Sequence, residues 1–198
     1  FYRFTKIKRK KIIKHSLDEH FLKKNIRGTI LLADEGINAS ISGTESDLLA
    51  ALKLIRKLLN IKKLNIKINK NSFLPFNRIK VRLKKEIVSL GRGKMDVNKY
   101  TGKRAHPSNW NEIIKQRDIK LIDIRNVYET KIGYFKGAIN PKTNSFREFP
   151  KMIEKMQLNK KDKLAVYCTG GIRCEKASAY LKLKGFKNIV QLDGGIIN

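Results

Sequence analysis

Tyr167-Cys168-Thr169-Gly170-Gly171-Ile172-Arg173-Cys174-Glu175-Lys176 holds both cysteines of this 198-residue chain. It follows a short apolar run, residues 164–167, that reads as a buried parallel strand. It precedes Ala177, Tyr180 and Leu181 at helical spacing, with Gly185 as a stop. A cysteine at a strand end, then a Gly-rich loop, then a helix start, sits where backbone N–H groups and a positive dipole end converge. That setting draws a thiol pKa from ~8.5 toward neutrality and leaves a nucleophilic thiolate at working pH.

Working outward, residues 120–124 and 189–192 read as further buried strands, and the segments around Trp110, 146–156 and 177–184 as helices. Strands alternating with helices predict a doubly wound parallel sheet over residues 107–198. Residues 89–106, rich in Gly and basic side chains and poor in periodicity, read as a linker. Residues 1–88 alternate differently. A strand at 1–5 leads into a basic helix with Ile12, Ile13, Leu17, His20 and Phe21 toward the core. Strands at 28–33 and 37–42 are joined by the tight turn Asp34-Glu35-Gly36, and a helix over 46–59 is capped near Thr44. Strands at 64–68 and 79–83 follow. The order β-α-β-β-α-β predicts a ferredoxin-like domain.

Composition narrows the function. Net charge is +28, with 33 lysines among 45 basic residues. Residues 1–106 carry 27 basic and 8 acidic side chains, and residues 107–198 carry 18 and 9. Lysine-rich coding bias would load both halves alike, so the first half is the larger expected footprint for a polyanion, nucleic acid above all. The basic run Lys8, Arg9, Lys10 and Lys11 is the sharpest local cluster. Apolar runs stay far below the ~20 residues of a bilayer crossing, so no membrane association is expected. Two cysteines fit a reducing cytoplasm better than a disulfide scaffold. The chain opens on Phe1 and closes on Gly194-Gly195-Ile196-Ile197-Asn198 without a covering helix, which reads as a trimmed piece of a longer protein.

Several chemistries compete for the cysteine loop. Zinc needs about four ligands, and His15, His20 and His106 lie far upstream, so no metal is expected. A disulfide across five intervening residues is one alternative. A phosphatase loop needs Arg six positions after its Cys, to hold phosphate bidentately. Here that place is Cys174, with Arg173 one step early.

Residues 168–173 resemble the six-residue active loop of rhodanese domains. Leu121-Ile122-Asp123-Ile124-Arg125, Tyr128-Glu129, Ile132-Gly133-Tyr134-Phe135 and Gly137-Ala138-Ile139-Asn140-Pro141 resemble that family's strand–helix–loop signature. Together with Glu35-Gly36-Ile37-Asn38 in an acylphosphatase-like domain and Phe146-Arg147-Glu148-Phe149-Pro150, the whole chain resembles the bacterial rhodanese-domain tRNA uridine hydroxylases. The resemblance implies oxygen-dependent conversion of a wobble uridine to 5-hydroxyuridine, with tRNA as partner and molecular oxygen as co-substrate; no other cofactor is evident. It implies Cys168 as the catalytic nucleophile in the active-site loop Thr169, Gly170, Gly171, Ile172 and Arg173. Cys174, Asp123 and Arg125 are secondary candidates: Cys174 as a resolving thiol, Asp123 as an acceptor of loop N–H groups, and Arg125 as an i,i+4 partner of Glu129. Glu35 and Asn38 are read either as turn residues or as RNA contacts beside Lys8 to Lys11. The rival readings are a thiosulfate sulfurtransferase or persulfide carrier and a non-enzymatic tRNA-binding module.

Overall fold

The computed structural model describes residues 1–198, which divide into two compact units, Phe1–Ile87 and Val88–Asn198. The first runs β1 (Tyr2–Phe4), α1 (Lys10–Leu22), β2 (Arg27–Ala33), β3 (Gly36–Ser42), α2 (Glu45–Leu59) and β4 (Ile79–Leu83). Its sheet has the order β1-β3-β2-β4, antiparallel except for the parallel pair β2–β4. Residues 64–68 do not form the expected full strand. A single antiparallel bridge, Asn65 with Tyr2 through reciprocal 3.0 Å hydrogen bonds, occupies the edge beside β1. Counting that bridge, the ferredoxin-like order is present, and β4 is an added strand on the far edge.

Local sequence explains these elements. Ile13, Leu17 and Phe21 recur every four residues and fill the core side of α1. Ile12, expected inward, is exposed because it lies one position off that stripe. The Thr44 hydroxyl accepts the Asp47 N–H and starts α2, and Asn60 ends it in the left-handed region. Ile30 and Leu32 of β2, with Ile37 and Ala39 of β3, complete the core.

The Glu35-to-Asn38 turn has a second task. A Glu35 carboxylate oxygen accepts the Ile87 N–H at 2.7 Å, and the Asn38 amide donates to the Ile87 carbonyl at 3.0 Å. Both side chains therefore clamp one backbone residue, which favours the structural over the RNA-contact reading of the motif.

The second unit holds α3 (Val97–Tyr100), β5 (Lys103–Ala105), α4 (Pro107–Ile114), β6 (Ile119–Asp123), α5 (Val127–Thr130), a 3-10 turn at Phe146–Glu148 leading into α6 (Phe149–Lys155), β7 (Lys163–Tyr167), α7 (Ile172–Leu183) and β8 (Asn188–Leu192). Its sheet, in the order β5-β8-β7-β6, is wholly parallel. Alternate strand residues feed two cores. Ile122, Leu164 and Val166 face α6 and α7, while Leu121, Ala165 and Tyr167 face Trp110 of α4. Helices thus cover both faces, as a doubly wound sheet requires.

The stretch read as linker is structured. Residues Cys174 to Leu181 of α7 are all buried, polar ones included, and buried polar groups need partners. The Ser178 hydroxyl accepts the Gly102 N–H at 2.8 Å, Lys182 donates to the Thr101 carbonyl at 2.9 Å, and the Lys176 ammonium donates to the Val88 carbonyl at 2.9 Å. These bonds fix residues that carry little apolar patterning of their own. With the division at residue 87, the units hold 22 and 23 basic residues against 7 and 10 acidic ones. The charge is then spread more evenly than the earlier boundary suggested.

Replacing Asn38 with Ala leaves the Ile87 carbonyl without this donor. The expected cost is about 1–3 kcal/mol of stability, read from the shift of the denaturant midpoint at unchanged slope, with no change in affinity for RNA.

Candidate active site

β7 delivers Cys168 to the carboxyl edge of the parallel sheet, the edge where open α/β sheets place their ligands. The chain then turns within residues 169–171 into α7. Gly171 takes φ +93° at the helix start, a conformation costly for any residue with a Cβ, and its N–H donates to the Cys168 sulfur at 3.1 Å. The end of the chain holds the loop from behind. Ile196 N–H donates to the Cys168 carbonyl at 2.9 Å, and Ile197 N–H to that of Thr169 at 3.4 Å. With those carbonyls drawn toward the terminal segment, the Gly171 and Cys174 amides are left for the sulfur.

Cys168 is fully buried. Burial pushes its thiol up, but it is outweighed by the Cys174 thiol donating to it, the Arg173 charge, and the N–H groups of Cys174 and Gly171. The net result is a pKa of about 6. Cys174 moves the other way: burial and the adjacent Cys168 anion raise its pKa well above the ordinary range. Neither cysteine is in a disulfide. The pair is one thiolate and one thiol donor.

Glu129 organises the charges. Its carboxylate receives both terminal nitrogens of Arg173, at 2.6 and 2.5 Å, and also the Thr169 hydroxyl and the Asn126 N–H. Burial disfavours its ionised form, yet Arg173 and Thr169 bring its pKa down to about 2. Arg173 is thereby held along the loop, where its charge acts on Cys168. The expected Arg125–Glu129 ion pair is absent. Arg125 precedes α5, so helical i,i+4 spacing does not apply to it. Its guanidinium instead lies on the Asp123 carboxylate (2.7 to 3.2 Å) and donates to the carbonyls of Gly133 (2.6 Å) and Glu129 (3.4 Å). Asp123 also accepts the Arg125 N–H at 3.0 Å, the loop bond expected of it, and the Tyr167 hydroxyl at 2.8 Å.

The structure therefore gathers Cys168, Thr169, Gly170, Gly171, Arg173 and Cys174 at one place, with Asp123 and Arg125 one layer behind. Ile172 begins α7 and brings no polar group to the sulfur. In the other unit, Lys8, Arg9 and Lys11 are exposed around the start of α1, while Lys10 pairs with Asp34 at 2.8 Å. Sequence reasoning missed the Glu129 link to Arg173, 44 residues away, and the support from residues 195–197. The glycines at 194 and 195 were the available signal for that support.

A Cβ on Gly195 would come within 2.3 Å of the Thr169 carbonyl oxygen and 2.6 Å of that of Cys168, at φ +76°, whereas a Cβ on Gly170 meets nothing within 4 Å. Gly195→Ala is expected to cost about 1–3 kcal/mol in chemical denaturation, and Gly170→Ala close to nothing.

Comparison with known proteins gives two family matches. Residues 1–87 match the UPF0176 acylphosphatase-like domain, and residues 107–197 match the rhodanese-like domain. Among curated proteins, the chain is 46% identical over its full length to a tRNA uridine(34) hydroxylase of Pelagibacter ubique and spans 65% of that protein. It is 43% identical over its full length to one of Neorickettsia sennetsu, spanning 73%. It is 44% identical to one of Agrobacterium fabrum over 99% of the chain, spanning 63%. The chain thus corresponds to about two thirds of the length of these relatives.

Proposed function

The chain belongs to the tRNA uridine(34) hydroxylase family, and from that membership we propose that the protein containing it hydroxylates the wobble uridine of tRNA at carbon five, with molecular oxygen as co-substrate and Cys168 as nucleophile. The observation that carries the reading is the Cys168 sulfur, ionised near neutrality while accepting a main-chain N–H.

A thiolate is the strongest nucleophile available at neutral pH, and carbon six of uracil is the electrophilic end of its ring double bond. Addition of sulfur at carbon six moves the π pair toward carbon five, which becomes electron-rich and open to oxidation. Loss of the carbon-five proton and departure of Cys168 then restore the double bond. Insertion from molecular oxygen leaves one oxygen atom on carbon five, sends the other to water and consumes two electrons. The Cys174 thiol supplies these two electrons by taking the outer oxygen of the carbon-five hydroperoxide as a sulfenic acid. Once Cys168 has left carbon six, its thiolate attacks that sulfenic acid, closing a disulfide and releasing water, and a cellular thiol reduces the disulfide before the next turnover. Because Cys168 has no exposed surface, the base reaches it only by displacing what covers the loop. A flipped, unpaired base suits that approach, as RNA readout favours splayed loop bases. Exposed Lys8, Arg9 and Lys11 serve as phosphate contacts, giving an affinity that falls steeply with salt. No helix is long and apolar enough to cross a membrane.

Cells whose only copy of the gene carries Cys168→Ser are expected to lose 5-hydroxyuridine from their tRNA at normal protein abundance. Nucleoside mass spectrometry reads this directly. Unchanged levels would remove Cys168 from the reaction, and robust sulfur transfer from thiosulfate without any tRNA effect would favour a persulfide carrier.

A further inference from the structure

Close to the cysteine loop, the second unit exposes three large apolar side chains within seven residues: Tyr128 at 65%, Ile132 at 89% and Tyr134 at 61%. Leaving apolar surface in water forgoes the burial that drives folding, and clustered exposure of this kind marks an interaction site. The backbone that carries these side chains is pinned. Glu129, beside Tyr128, is tied to Arg173 and Thr169 of the loop, and the Asn126 amide donates to the Tyr128 hydroxyl at 3.3 Å. On either side of Tyr134, the Gly133 carbonyl accepts from buried Arg125 at 2.6 Å, and the Phe135 N–H donates to the Tyr167 hydroxyl at 3.3 Å. The chain on either side of these rings is thus fixed by the same Asp123–Arg125–Tyr167 and Glu129–Arg173 groups that hold the cysteine loop.

The chemistry of the patch selects its ligand. Exposed Lys131 and Lys136 alternate with the apolar side chains. Lysine is depleted from the centre of protein–protein interfaces, whereas aromatic rings interleaved with cations suit a strand of nucleotides, the bases stacking and the phosphates meeting ammonium groups. We propose that Tyr128 and Tyr134, with Ile132 between them, form a stacking platform for unpaired nucleobases that flank the base presented to Cys168. The inference rests on the tRNA reading above for why an unpaired RNA loop arrives at this edge, and it adds the residues that hold that loop.

The test uses the full-length protein and two labelled RNAs, a hairpin with an unpaired loop and a duplex of equal length, with affinities from fluorescence anisotropy. Wild type is expected to prefer the hairpin. Y128A and Y134A should each weaken hairpin binding by at least about fivefold, the weak end of base–aromatic stacking, with duplex binding unchanged. The Phe variants should retain wild-type affinity. Hairpin affinity unchanged in the Ala variants, equal losses for both RNAs, or a wild type blind to the loop would each overturn the platform; in the last case, a protein partner is the remaining occupant. Failure of the tRNA reading looks different: ring-dependent hairpin binding without any 5-hydroxyuridine formed would leave the platform standing and the hydroxylase assignment fallen.

Discussion

The site depends on the ion pair between Glu129 and Arg173, both largely shielded from water. Removing two charges from solvent costs several kcal/mol per ion unless geometry and further hydrogen bonds compensate. Here they do. The bonds are bidentate, and the carboxylate is completed by the Thr169 hydroxyl and the Asn126 amide. Three separate pieces of chain meet at this carboxylate: the start of α5, the cysteine loop and the first turn of α7. Without it, Arg173 loses its bidentate partner and keeps the Thr169 hydroxyl at 3.0 Å, and one of the groups that offset the burial of Cys168 is held less firmly. With it, a fully buried sulfur is stabilised as an anion by one guanidinium, one thiol and two amides.

Much of this was legible in the chain, and the failures have physical reasons. The strand–loop–helix around Cys168 was readable because an apolar run, paired glycines and helical spacing are all local signals. The hairpin at Asp34 and Glu35 and the cap at Thr44 were readable for the same reason. The alternation at 64–68 promised a strand, but edge pairing depends on what lies beside it, and the stretch meets β1 through the single bridge between Asn65 and Tyr2. Residues 89–106 read as linker because the order of 97–105 is imposed from outside, by Ser178, Lys182 and Gln191. Arg125 does not pair with Glu129 because it lies before the start of α5, where i,i+4 spacing does not hold. The true partner of Glu129 lies a whole strand crossover away, where no periodicity reaches.

Polar side chains of two motifs are taken up by the backbone. Glu35 and Asn38, candidates for RNA contact, have their polar ends bound to Ile87. Lys176, at the end of the cysteine segment, is a buried donor to the Val88 carbonyl. Both cases follow one rule. A polar side chain close to a turn or a tight helix face is used first to satisfy the backbone, and only the remainder of the charge is free to meet a ligand.

The chemistry of the site turns on the ionisation of one sulfur. A thiol that ionises at about 6 in the fold, against ~8.5 when unfolded, leaves the native state binding fewer protons between those values, so stability rises with pH across that window. Thiolate absorbance near 240 nm (a wavelength typical of such anions), followed against pH in the folded protein with Cys168→Ser as the blank, reads that ionisation directly. The prediction is a one-thiol step centred near pH 6 that the blank lacks. A step at 8.5 or above would contradict the ion-pair account of the site.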